Sequence, residues 1–387
     1  MTRLHDTLHE IADEAPAVDL ADRAIRRSRH RRRTGALLVA AAATAVAVLG
    51  TSVATGLLPG RGARDMVASP VGPRSWEISS SPLPARGVDP LSYAYLTSCT
   101  GQGVPPDCVH GVWRVVTRGG ETYDVPQALG LGGSDGSVFS PLVITPDGRA
   151  MAYYSRRDRT FKVRELESGK EFTAPVKVGQ EQLEAAEVFL RLSGDGRRLA
   201  FTSFGPEKPL AVSIDMRNGR TTRLPTGWMP VSVADGGGPV VVVRWADDRS
   251  RIRLVSPGGE VRESGIPEYG QRFSAFAPDG RTMTKIGNGR EDDRHAEDGT
   301  LVVFDSATGK VQGRIRIRGL PEDTTVIRLG HWLNDTEVTA LTTVSSADAP
   351  PRDAVTTVYA VNVRTGGTRE LHSYPSFSHL LVPGIVM

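Results

Sequence analysis

The stretch LVITPDGRAMAYY, residues 142–154, decides how this chain reads. Three apolar residues lead into Pro146-Asp147-Gly148, and a basic residue and a second apolar run follow. Proline presets φ, aspartate bonds its own backbone two residues on, and glycine takes a positive φ, so the trio makes a tight turn. Flanked by β-branched and aromatic residues, it reads as two strands joined back to back. The pattern recurs as LRLSGDGRRLAFT (190–202) and SAFAPDGRTMTKI (274–286). It is degraded in VSVADGGGPVVVV (231–243) and lacks its glycine in HWLNDTEVTAL (331–341). The turn aspartates are Asp147, Asp195, Asp235, Asp279 and Asp335, at steps of 48, 40, 44 and 56 residues.

A second hairpin alternates with the first. Its glycines are Gly120, Gly169, Gly219, Gly259, Gly309 and Gly367, again about one period apart. Four short strands per 40–50 residues, with no helical stretch between, form the pattern of a β-propeller. A sandwich would not keep a fixed period, and an α/β fold would need helices. The expected fold is therefore all-β, a propeller of six blades. Seven is the alternative, with residues 76–80 and 380–387 supplying strands to a closing blade.

The Pro-Asp-Gly-Arg turn followed by a glycine hairpin, over residues 90–375, resembles WD-repeat-like and TolB-like propellers. The Trp-Asp and Gly-His signatures of true WD repeats are missing. The resemblance implies a scaffold, with Asp147, Gly148, Arg149, Asp195, Gly196, Arg197, Asp279, Gly280 and Arg281 as structural turn residues. TolB-type propellers often bind partner proteins, which implies the same kind of role here.

Composition narrows the class further. The 387 residues include 47 Lys+Arg, 44 Asp+Glu, 42 Gly, 26 Pro and 2 Cys, which excludes collagen, a disulfide-dense mini-protein and a wholly disordered chain. Of the net charge of +3, residues 1–33 carry +2, so the body has no basic excess of the sort that nucleic-acid binding requires. The Arg- and Ala-rich composition points to a high-GC actinobacterial source. Residues 34–58, TGALLVAAAATAVAVLGTSVATGLL, contain no charge. At about 1.5 Å per residue they span roughly 37 Å, enough for one membrane crossing.

Seven arginines lie within residues 23–33, against Arg61, Arg64 and Arg74 beyond the span, so the N-terminus is placed inside and the body outside. The long tail and long apolar run favour an anchor over a signal peptide cleaved near Ser52 and Ala54. Leu4, Leu8 and Ile11 recur at helical spacing, as an amphipathic helix on the inner leaflet or a dock for a cytoplasmic partner. The predicted organisation is a cytoplasmic tail (1–33), a transmembrane helix (34–58), a linker (59–88) and an extracytoplasmic propeller (89–387).

Cys99 and Cys108 flank a turn-rich loop and are predicted to form a disulfide in an oxidising compartment. A zinc site would need two further ligands, and only His110 is near. The letters of Gly132-Gly133-Ser134-Asp135-Gly136 match a nucleophile elbow, but that motif needs a strand-to-helix turn in an α/β domain. The acidic stretch GREDDRHAEDG (289–299) lacks ordered calcium-loop spacing and reads as a solvated insertion. No catalytic, metal or cofactor set is predicted. The expected function is a non-enzymatic scaffold for an envelope protein or cell-wall component. Its alternatives are a transmembrane sensor acting through the tail and a propeller lyase or glycan-acting enzyme.

Overall fold

The repeat turns fold by the chemistry of their own residues. In the first, Asp147 Oδ1 accepts the Arg149 amide at 2.9 Å and the Thr145 hydroxyl at 2.7 Å, while Gly148 holds φ +75°. Asp195 accepts the Arg197 amide and the Ser193 hydroxyl in the same way, and Asp279 accepts the amides of Arg281 and Thr282. Two positions differ from the expectation. In the last repeat Asn334, not Asp335, accepts the amide two residues on, from Thr336 at 2.8 Å. In the last outer hairpin the positive φ belongs to Gly366, at +76°, rather than Gly367. Asn362 caps that turn, accepting the amides of Arg364 and Thr365.

The computed structural model describes residues 74–100, 103–130, 141–184, 186–205, 209–246, 249–266, 272–288, 297–344, 355–375, 377 and 379–386, all within one unit spanning 67–387. The predicted tail (1–33) and transmembrane segment (34–58) lie outside the described residues, as does the linker up to residue 73. Among the described residues no helix is long and apolar enough to cross a membrane.

The fold is an all-β propeller of six blades. Blade 1 holds β1 (Ser81–Pro82), β2 (Leu91–Leu96), β3 (Trp113–Thr117) and β4 (Thr122–Asp124), in the order β1-β4-β3-β2. Blade 2 runs β5 (Leu142–Ile144), β6 (Ala150–Ser155), β7 (Thr160–Glu165) and β8 (Glu171–Thr173) from the axis outward. A short helix, α1 (Gln180–Glu184), leads into blade 3, which consists of β9 (Glu187–Leu192), β10 (Arg198–Phe204), β11 (Ala211–Asp215) and β12 (Thr221–Arg223). Blade 4 comprises β13 (Met229–Val233), β14 (Val240–Ala246), β15 (Arg249–Val255) and β16 (Val261–Ile266). Blade 5 has β17 (Thr282–Asn288), β18 (Glu297–Asp305) and β19 (Val311–Arg316), with Phe273 bridging to Lys285 at the axial position. Blade 6 is β20 (Thr324–Asn334), β21 (Glu337–Val344), β22 (Thr356–Asn362) and β23 (Thr368–Tyr374).

The seventh blade does not form. Blade 1 has no axial strand of its own, and the C-terminal segment fills that place. Leu381 and Ala94 exchange backbone hydrogen bonds, both at 2.8 Å. On the outer edge, β1 pairs in parallel with β4, and Arg114 holds the preceding turn through the carbonyls of Ser75 and Ile78. Of the two stretches expected for a seventh blade, the C-terminal one completes the first through Leu381, while residues 76–80 form the turn that leads into β1.

Apolar clusters fill the seams between blades. Phe161 and Phe201 meet across blades 2 and 3 with ring centroids 4.5 Å apart. Met283, Phe304 and Phe273 of blade 5 meet Met229 and Val243 of blade 4, and Leu301 and Val303 of blade 5 meet Leu329 and Trp332 of blade 6. The closing seam joins Leu341, Val358 and Tyr374 to Tyr93 and Leu380. Removing a buried phenylalanine side chain from such a seam costs about 3–5 kcal/mol. A ring closed this way gives its axial strands a rigid frame.

Candidate functional site

The axial strands surround a channel, and the C-terminal segment runs across it. From Leu381 in blade 1 it passes blade 2, where the Gly384 amide reaches the Ile144 carbonyl at 3.3 Å. It then meets blade 6, where the Val386 amide donates to the Leu329 carbonyl at 2.9 Å, and the Val386 side chain joins the cluster of blades 4 and 5. Gly384, at φ +70°, lies against the His331 ring so closely that a Cβ would collide with Nδ1. Lateral bonds tie the axial segments together. The Phe276 amide donates to Ser232 Oγ at 3.0 Å, the Ala275 amide to the Gly330 carbonyl at 3.0 Å, and the Trp332 indole to the Ala275 carbonyl at 3.1 Å.

Three of these axial segments each bring an arginine. Arg191 sits on β9 and is 6% exposed, with its Nη1 on the Leu190 carbonyl at 2.8 Å. Arg272, just before the blade 5 bridge, reaches across to blade 6 and donates Nη1 to the Val326 carbonyl. Arg328 is two residues beyond Val326 on β20 and half-buried. It makes no hydrogen bond or ion pair among the described residues. Burial, and then the charge of Arg328, hold the Arg191 guanidinium below its usual pKa; burial and Arg272 do the same to Arg328. A guanidinium remains charged at neutral pH. Burial lowers His331 to about 4, leaving it neutral. His379 is lowered by burial, Arg328 and His110.

The predicted site residues fall elsewhere. Cys99 and Cys108 form the disulfide, with Cα atoms 6.0 Å apart. Their loop borders a cleft of about 490 Å³ with Trp76, Arg114 and Val109, the last of these 64% exposed. His110 Nδ1 accepts the Cys99 amide at 3.2 Å and so serves this loop. Asp147, Gly148, Asp195, Gly196, Asp279 and Gly280 sit at turns. Asp195 and Asp235 come together, with the Asp195 amide on Asp235 Oδ1 and the Gly236 amide on Asp195 Oδ2, both at 3.0 Å. Asp279 lines a separate groove of about 700 Å³ between blades 5 and 6, with Asp335, Trp332 and Arg364. Among the described residues no three His, Cys, Asp or Glu side chains are grouped to hold a metal ion. The Gly132–Gly136 motif and most of the 289–299 stretch lie outside the described residues.

Sequence reading missed these arginines because Leu-Arg-Leu, Arg-Phe and Ile-Arg-Leu look like ordinary alternation with one solvated side chain. The available signal was position. All three precede a repeat turn, on the segment that a propeller places at its axis.

No family model matches the chain, and no curated protein matches it in sequence. Solved structures with a similar fold include TolB from Acinetobacter baumannii, at 14% identity, covering 78% of this chain and 68% of that one with a TM-score of 0.44. Hydrazine synthase from Kuenenia stuttgartiensis is 14% identical, covering 62% of this chain and 69% of that one with a TM-score of 0.40.

Proposed function

We propose that this chain is a membrane-anchored binding propeller, with residues 1–33 in the cytoplasm, 34–58 across the bilayer and the ring outside. It holds an envelope protein or cell-wall component at the axial channel rather than transforming it. The observation that supports the binding role is the meeting of Arg272 and Arg328, from blades 5 and 6, on the axial segments of the closed ring. Display outside the cell is supported by the Cys99–Cys108 disulfide, since such bonds persist in oxidising compartments.

Two measurements test this reading. Every lysine of the chain lies at or beyond position 162, and Lys170 and Lys310 are exposed. A membrane-impermeant amine reagent applied to intact cells should modify both. Modification only after lysis would refute the topology. The full-length chain in detergent should also retain a component of envelope extract that the charge-reversed Arg328→Glu chain does not. Equal retention by the two chains would remove the channel from the function.

A further inference from the structure

Two seams of the ring share one frame, and only one of them is filled from within. Between blades 2 and 3, Phe172 on β8 pairs opposite Val163. Its ring lies beneath Arg217 of the blade 3 outer hairpin, with the guanidinium carbon 4.4 Å from the ring centre. Arg217 also donates to Glu165 Oε1 at 2.7 Å, so a ring and a carboxylate of blade 2 together hold one cation of blade 3. Lys170 lies over the same ring at 4.7 Å.

The seam between blades 5 and 6 repeats the backbone of that arrangement. The Asp305 amide donates to the Lys310 carbonyl as the Glu165 amide donates to that of Lys170, which matches Asp305 with Glu165 and Lys310 with Lys170. Two residues before each carboxylate stand Val303 and Val163, and opposite Val303 β19 carries Gly313 where β8 carries Phe172. Arg364 takes the place of Arg217, since the amide of each lies on a side-chain oxygen two residues back, from Asn362 or Asp215. The contents differ. A Cβ on Gly313 would meet only Ile315 Cδ1, at 3.4 Å, and the register shift here leaves Gly313 without a positive φ that would call for glycine. Glycine inside a strand weakens it and often marks the close approach of another group. Asp305 is taken by Arg281 instead. Arg364 and Lys310 have no side-chain partner among the described residues. What remains is the groove of about 700 Å³, lined by Val303, Gly313, Ile315 and Val363, with the exposed Arg364 at its rim.

We infer that this groove takes a phenylalanine of a partner polypeptide, its ring entering the space beside Gly313 beneath Arg364, with a neighbouring acidic residue on the Arg364 fork. The partner supplies what Phe172 and Glu165 supply inside the chain. A guanidinium accepts both at once, because its face stacks on an aromatic ring and its edge matches a carboxylate. A polypeptide suits the groove better than a small aromatic acid, because the lining runs on from Arg364 in the outer hairpin to Asp279 and Asp335 at the inner turns. This site lies outside the axial channel and does not depend on the channel's role.

The test is a calorimetric titration of the full-length chain in detergent with two blocked peptides, acetyl-Ser-Glu-Phe-Ser-amide and acetyl-Ser-Phe-Glu-Ser-amide. At least one should bind saturably. Serine in place of its phenylalanine should weaken binding about tenfold or more, the scale of a buried aromatic side chain. Arg364→Gln should weaken the glutamate peptide about tenfold, the scale of a lost charge-assisted hydrogen bond, and a glutamine analogue of that peptide distinctly less. Arg364→Lys, which keeps the charge without the fork, should fall between native and Arg364→Gln. Gly313→Phe places the ring from within, so that chain should bind neither peptide and should melt higher than the native one. Arg328→Glu should leave peptide binding unchanged, whichever way it alters envelope retention.

Failure of both peptides to bind saturably would overturn the inference, as would equal affinity in the native and Gly313→Phe chains. Equal losses from Arg364→Gln with the glutamate and glutamine peptides would remove the carboxylate and overturn it too. A Gly313→Phe chain that melts lower would show that no ring fits beside Ile315. Peptide binding abolished by Arg328→Glu would place the peptide in the channel and not in the groove.

Discussion

Gly148 and Gly280 occupy the same place in two copies of one turn, with φ of +75° and +65°. Their surroundings differ. A Cβ on Gly280 meets nothing within 4 Å, whereas one on Gly148 would collide with the Leu91 carbonyl oxygen and lie 2.9 Å from the Leu91 amide nitrogen. Those atoms belong to blade 1, and the Leu91 amide donates to the Gly148 carbonyl at 2.9 Å, a backbone bond between blades. Alanine at either site carries left-handed strain of about 1–2 kcal/mol. It recovers about 0.4–1 kcal/mol through a less flexible unfolded chain. Gly280→Ala should therefore destabilise by about 1 kcal/mol. Gly148→Ala adds an overpacking cost of about 1–3 kcal/mol, because backbone rather than a flexible side chain must move. Weakening the Leu91 bond adds about 1 kcal/mol more. The expected difference between the variants is about 2–4 kcal/mol, read as a shift of the urea midpoint at constant slope. Gly196→Ala, whose Cβ would sit 3.4 Å from the Ala150 methyl, should behave like Gly280→Ala. Equal losses at 148 and 280 would refute the idea that this turn locks blade 2 onto blade 1.

Further outcomes concern acid, reduction and charge. His331 is held at about 4 by burial against an ordinary value of 6.5, so its folded form binds fewer protons in between. That contribution is complete above about pH 6.5 and is lost as pH falls toward 4, amounting to about 3 kcal/mol. A neutral His331→Gln chain should lose less stability between pH 7 and 4 than the native one, and equal losses would contradict the burial argument. Burial alone would raise the Asp195 carboxyl, but bonds from the Ser193 hydroxyl and the amides of Gly236 and Arg197, with the Arg197 charge, outweigh it and lower the pKa. Its stabilisation is present above the ordinary carboxylate range and disappears as pH falls below it. Asp235 is raised by burial and by the charges of Asp195 and Asp147, against amide bonds that lower it, so its ionisation costs stability as pH rises. Asp235→Asn should gain melting temperature relative to the native chain between pH 3 and pH 7, and a flat difference would remove that repulsion from the account. Replacing both Cys99 and Cys108 by serine opens a loop of sequence separation 9. The loop-entropy relation puts the loss at about 2.5 kcal/mol, measurable as the same drop on adding reductant to the native chain.

The architecture was legible because propeller turns are written locally. An aspartate, a glycine and a basic residue at a regular interval state both the hairpin and its repetition, and Asp147, Asp195 and Asp279 bond their own backbones as that spacing implies. Where a copy degrades, local reading slips by one residue. The spacing points to Asp335 rather than Asn334 because both side chains can cap a turn, and only the amide of Thr336 identifies which one does. Ring closure lay beyond local reading for a different reason. Leu381 and Ala94 are far apart in sequence, and the apolar run 380–386 suits a separate strand as well as the vacant axial place in blade 1. That vacancy is visible only as an absence, since the repeat preceding Leu91 has no Pro-Asp-Gly turn.

The candidate site escaped for the converse reason. Arg191 and Arg328 sit in strands with ordinary alternation, Arg272 just before an isolated bridge, and nothing local separates an arginine facing solvent from one at an axis. Their meaning is set by convergence, which depends on the closed ring holding blades 3, 5 and 6 around one channel. In a repeat fold the turns report architecture, while function collects where the copies differ. At the axial positions that Arg191 and His331 occupy in blades 3 and 6, each paired beside the second strand of its blade, blades 4 and 5 carry Ser232 and Ser274. Those serines bond neighbouring backbone: Ser232 Oγ takes the Phe276 amide, and Ser274 Oγ takes the amide of Thr284. The same position thus bonds backbone in blades 4 and 5, across the seam for Ser232, and carries Arg191 and the neutral His331 in blades 3 and 6. That asymmetry, rather than the repeat itself, makes the axial channel the place where this protein's chemistry is to be sought.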